Sequence, residues 1–138
     1  MDEIDWVNLL DDGKPHPAGN YFNIESPQDY ACYLREFAIG HSQLTIHAES
    51  AEQARSFDLD FAVVQYLSAP VRWHGVQFWL GTSDECLQLR RKLGIDTAYP
   101  DSEVAMSQLY KLFLLDLPND VKVTILARTA KRYDYEEG

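Results

Sequence analysis

Asp58 and Asp60 stand two residues apart in the run Phe57-Asp58-Leu59-Asp60-Phe61. On a β-strand that spacing puts both carboxylates on one face. Two carboxylates so placed can share a proton for acid–base chemistry or hold a divalent cation. The same alternation is also the ordinary pattern of a strand with one face in a core and the other in water, and that is the reading the run supports. His41 and His47 flank Leu44–Ile46, and imidazole beside carboxylate suits zinc or copper. The chain has no H-x-x-x-H, no H-E-x-x-H and no paired C-x-x-C, the spacings that bring ligands together on one element. No metal and no cofactor is therefore expected. His16 lies in a Pro-rich loop. His74 sits beside Trp73 and before Gly75, where the apolar phase of the chain flips. A β-bulge there would aim the ring outward, which makes His74 the histidine to test first.

Nucleophilic and phosphate chemistry find no footing. There is no G-x-S-x-G elbow, and Ser83 reads as a helix cap. Neither Cys32 nor Cys86 is flanked by groups that would lower a thiol pKa. The glycines (13, 19, 40, 75, 81, 94 and 138) are too dispersed for a phosphate-binding loop. Asp11-Asp12-Gly13 begins like a calcium loop, but Phe22 stands where its closing glutamate belongs. What remains is aromatic. Trp73 and Trp79 share one strand phase, and Val76, Phe78 and Leu80 share the other. Both faces of that strand then carry large apolar groups, which requires a third layer, a partner or a second copy over one of them. The candidate partner-binding set is Asp58, Asp60, Trp73, His74 and Trp79.

The elements that position these residues follow from periodicity. Ile4, Val7 and Leu10 suggest a short amphipathic arm, followed by a loop through Asn20. A strand over 21–24 is marginal. Ser26-Pro27-Gln28-Asp29 starts a helix over 27–38, with Ser26 as cap and Gly40 as stop. Strands follow over 43–48, 57–67 and 71–80, the last with a bulge at Gly75. Thr82 or Ser83 caps a helix over 83–93, with Asp84 and Glu85 at its positive end and Arg90-Arg91-Lys92 at its negative end. A third helix spans 102–115, and a last strand 121–128. Residues 131–138 read as a loose charged tail. Cys32 and Cys86 both fall on predicted helices as buried free thiols. The expected fold is α+β: one domain over 1–138, with a mainly antiparallel sheet of four or five strands packed on two or three helices.

The chain has 138 residues with 12 Lys+Arg and 22 Asp+Glu, a net charge of −10. One domain accounts for that length. A surface this acidic lacks the basic stripe that nucleic acid demands. No window approaches the ~20 apolar residues of a membrane span, and the acidic start Met1-Asp2-Glu3 is unlike a secretory signal. The expected location is cytoplasmic. Residues 1–70 hold 12 acids and 3 bases, and residues 71–138 hold 10 and 9, so the acidity belongs to the first half. Such polarity suits a basic protein partner or a second copy of the chain. The expectation is a non-enzymatic binding domain that acts through protein–protein contacts. Its alternative is a small enzyme or ligand-binding protein with a pocket lined by His and Asp between sheet and helices.

Overall fold

The structure, a computed structural model, describes residues 20–38, 40, 42–94 and 110–135. The amphipathic arm, His16, His41 and residues 102–109 of the third predicted helix lie outside them, as do residues 136–138. The alternating runs build strands as expected: β2 over Gln43–Ser50 and β3 over Arg55–Ala62. Leu44, Ile46, Phe57, Leu59 and Phe61 are fully buried on one side, and Thr45, Glu49, Asp58 and Asp60 face the other way.

The helix expected over 27–38 is instead a 3-10 turn, Pro27–Asp29, followed by strand β1, Ala31–Ala38. Ser26 takes φ 51° and makes no side-chain cap bond, whereas a helix cap needs extended backbone. The start signal is local and supports one turn only. Beyond it, buried Tyr30 and Cys32 alternate with half-buried Ala31 and Tyr33, the period of a strand. Cys32 is thus on a strand, and both cysteines are buried thiols outside any disulfide. Residues 21–24 form a turn rather than a strand, held by Tyr21 N–H donating to Phe78 O at 2.7 Å.

Each of the two long predicted strands divides. β3 ends at Ala62, and β4 (Tyr66–Ser68) resumes in a different sheet. Likewise β5 (Arg72–His74) and β6 (Trp79–Leu80) belong to different sheets. Gly75, at φ 117°, makes that crossing. It is a corner between sheets rather than a bulge within one strand, and it explains the phase flip. Its N–H donates to Tyr30 O at 2.8 Å, and its C=O accepts from Trp73 Nε1 at 2.9 Å. A Cβ at Gly75 would lie 2.7 Å from Gln77 Oε1, on backbone that L-residues rarely adopt. Gly75→Ala is expected to cost about 2 kcal/mol in urea unfolding, against less than about 0.5 for Gly40→Ala, where a Cβ meets nothing. Equal effects would refute the corner's role.

Helix α1, Ser83–Lys92, forms as the sequence dictates. Thr82 Oγ1 accepts from Glu85 N–H, and Glu85 returns a bond to Thr82 N–H. Arg90, one of the three bases at its negative end, is buried with its guanidinium 4.8 Å from the centre of the Tyr110 ring. Residues 111–115, expected to be helical, fall in strand β7 (Lys111–Asp116). Leu112, Phe113, Leu114 and Leu115 are all buried, because this strand is covered on both faces. A continuous apolar run of that kind has no period to read. β8, Lys122–Ala127, lies where the last strand is expected. The supposed tail supplies a further one, β9, Thr129–Asp134.

All pairings are antiparallel, in two sheets of order β5-β1-β2-β3-β9 and β4-β8-β7-β6. Ile46, Leu59 and Phe61 from the first meet Phe113, Leu115 and Ile125 from the second in one core. On the far side of the second sheet, Cys86 and Leu89 of α1 pack on Leu112, Leu114, Leu126 and Trp79. The protein is α+β with three layers, and α1 is the single α-helix among the described residues. The sheets are stitched by three bent runs. β3–β4 turns at Val63 (φ 54°), β8–β9 turns at Arg128, and β5–β6 turns at Gly75. Through these bends the strand pairing closes on itself in the order β1, β2, β3–β4, β9–β8, β7, β6–β5 and back to β1. Arg128 N–H donates to Ala62 O at 3.0 Å, and Gln65 N–H to Leu126 O at 2.7 Å, holding one corner.

Candidate functional site

The outer face of the five-stranded sheet, away from the core and from α1, carries cross-strand rows set by register. One row runs Arg72, Tyr33, His47, Asp58, Tyr133. Beside it lie His74, Ala31, Glu49, Ser56 on one flank and Glu36, Thr45, Asp60, Lys131 on the other. Between Leu34 and Glu36 the register of β1 shifts by one residue. Arg35, in phase with Ala31 and Tyr33, keeps to this face, and the bulge brings Glu36 onto it as well.

Asp58 is the hub. His47 Nδ1 lies 2.9 Å from its Oδ1. Arg35 Nη1 donates to its Oδ2 at 3.0 Å, and the Tyr135 hydroxyl donates to the same oxygen at 2.6 Å. Arg35 also donates to the Tyr135 hydroxyl. His47 Nε2 sits 3.3 Å from Glu49 Oε1. Its ring lies between those of Tyr33 and Tyr135, with centroids 5.2 and 5.7 Å away. The His47 side chain is 11% exposed and that of Asp58 15%. A ring with one N–H can donate to one carboxylate, and a ring with two donates to both. Burial pushes the Asp58 carboxyl up, but hydrogen bonds from Tyr135 and His47 and the charge of Arg35 outweigh it, so the group is held below the usual aspartate value. The hydrogen bond to Asp58 raises the Tyr135 phenol in turn.

The expected site residues separate. Asp58 and Asp60 share the face, but Asp60 accepts from Thr45 Oγ1 at 2.9 Å and both carboxylates serve to fix the sheet surface. Trp73 is in the core, 8% exposed, and Trp79 is packed with Leu89 beside α1. The chain itself buries the Trp73 indole and partly covers that of Trp79. His74 is exposed at the end of β5. It borders an open cleft of about 420 Å³ with Asp29, Glu49 and Glu52, over the small side chain of Ala31. A pocket lined by His and Asp between sheet and helix is not what these residues form, since they lie on the opposite face from α1. Burial pushes the Cys32 thiol up to about 12, which leaves it without nucleophilic character. Among the described residues no group of three or more His, Cys, Asp or Glu converges as a metal site, and no helix is long and apolar enough to cross a membrane.

Arg35, Glu49 and Tyr135 are the residues that sequence reasoning misses. His47 carried a usable signal: it is in phase with Thr45 and Glu49, opposite Leu44 and Ile46, so it had to share the face of Asp58 if the strands paired. The chain matches no protein-family model, and no curated protein and no solved structure is significantly similar to it.

Proposed function

We propose that the protein is a non-enzymatic binding module that docks a protein partner on the outer face of its five-stranded sheet. The observation that carries this reading is the state of the polar groups on that face. Asp58, His47, Arg35 and Tyr135 are joined by hydrogen bonds, so the surface is pre-organised, and each ring nitrogen of His47 lies against a carboxylate. Tyr133 and Tyr135 stand on it 52% and 44% exposed. Tyrosine and arginine on a rigid support present large contact area at small entropic cost.

A photo-crosslinking amino acid placed at Tyr133 and, separately, at Gln88 on the exposed side of α1 tests this in living cells. Adducts with a different protein are expected from position 133 and not from 88. Equal yields from both positions, or none from 133, would overturn the proposal.

A further inference from the structure

We infer that the free edge of β9 pairs antiparallel with the same edge of a second copy, with Tyr133 opposite Tyr133 of that copy. Tyr133 belongs both to this edge and to the face of the partner proposed above, and the oligomeric state of the isolated chain tests this pairing alone. Among the described residues β9 is the last strand of its sheet, and Lys131 to Asp134 are exposed. Tyr135 N–H donates to Ser56 O at 3.1 Å, and antiparallel bonding alternates along a ladder. The backbone groups of Lys131 and Tyr133 therefore turn toward β3, and those of Ala130, Arg132 and Asp134 turn toward the open edge. Such a row is a template for another strand.

Charge decides which strand fits. A two-fold pairing that keeps side chains on their own faces can centre on one residue. Centred on Lys131 it sets two lysines directly opposite, and centred on Arg132 it sets two arginines opposite. Both are repulsive. Centred on Tyr133 it stacks two phenol rings and places Arg132 of each copy opposite Asp134 of the other. These two side chains already lie on one face, with Arg132 Nε 3.4 Å from Asp134 Oδ1. Arg132 and Asp134 then exchange backbone hydrogen bonds across the edge. Lys131 falls opposite Tyr135 of the second copy, beside the Asp58 cluster. The edge is thus self-complementary when centred on Tyr133 and self-repelling when centred on Lys131 or Arg132. The net charge of −10 opposes association overall, but Arg128, Lys131 and Arg132 offset the acids of this segment, and salt screens the remainder.

The test uses the full chain at about 0.15 M salt, where screening reaches roughly 8 Å. Tyr133→Cys is expected to give a disulfide-linked dimer under mild oxidation, because opposed residues at a non-hydrogen-bonded site have Cα atoms about 4.5 Å apart. Lys131→Cys is expected to stay monomeric in a denaturing gel, since its counterpart lies about 13 Å along the strands. Cys32 and Cys86 are buried and do not compete. In sedimentation equilibrium, Arg132→Asp and Asp134→Arg should each weaken the dimer at least tenfold, and the two together should restore it. A chain that is monomeric at every concentration overturns the inference. So does cross-linking by Lys131→Cys as readily as by Tyr133→Cys. Failure of the double swap to restore the dimer, with an unchanged thermal melt, overturns it too. The two cysteine variants keep the test decisive even if a charge swap unfolds the chain.

Discussion

Replacing Phe113 by alanine should lower the free energy of unfolding by about 4 kcal/mol. Phe113 is fully buried on β7. Its ring meets Tyr21 and Phe61 edge-on, each with a centroid separation of 5.2 Å, and stacks over Phe22 at 6.4 Å. It thus joins both sheets and the turn at 21–24. Truncation forfeits the transfer energy of the ring and leaves a void among rigid neighbours that cannot collapse into it. Against a total stability of about 5–15 kcal/mol this is a large fraction, and the melting temperature should fall by roughly 12 °C. Val121→Ala is the control: Val121 is 42% exposed, and its loss should cost less than about 0.5 kcal/mol. A Phe113→Ala loss below about 1.5 kcal/mol by urea unfolding would mean that the two sheets do not share this core.

The second large effect belongs to Asp58. Its carboxylate accepts from Tyr135, His47 and Arg35, and Asp58→Ala removes all three bonds while Arg35 keeps Tyr135 and His47 keeps Glu49. Three hydrogen bonds to one charged acceptor, two of them from exposed donors, together suggest a loss of about 2 kcal/mol. Asp60→Ala, which removes one bond from Thr45, should cost about 1 kcal/mol. The effect depends on pH in a definite direction. The folded-state pKa of Asp58 is lowered from the ordinary 3.8, so its contribution is complete above that value and is lost as pH falls through the folded one. The gap between wild type and Asp58→Ala should therefore be flat from pH 5 to 7 and close below about pH 3.8. A gap that persists unchanged in stronger acid would show that the carboxylate's charge is not what holds the cluster.

Local chemistry was legible in the sequence and long-range pairing was not. The capping box of Thr82 and Glu85 and the alternation of Phe57 to Phe61 each act within a few residues, and both elements form where the residues say. The Ser26-Pro27 signal is equally local but was overruled, because Tyr30 and Cys32 gain more from burial between two sheets than a lone helix offers. Leu112 to Leu115 gave no period because both of its faces are covered. β9 looked like a tail because an edge strand needs little apolar character. The Asp58 cluster draws on partners 11, 23 and 77 residues away. Only the register of four strands brings them together, and no spacing in the sequence announces it.

The order in which the ring closes has a consequence for the chain as it is made. β3 carries Phe57, Leu59 and Phe61, yet its second neighbour is β9, and Tyr135 reaches back to Ser56 and Asp58. Until residue 134 has left the ribosome, one side of β3 has no strand to bond. A nascent chain shorter than that offers an apolar strand with an open edge for most of its synthesis, the kind of segment that aggregates or recruits a chaperone. Tyr135 can join the Asp58 cluster only after that edge is sealed, so its bond records that folding of this sheet is complete.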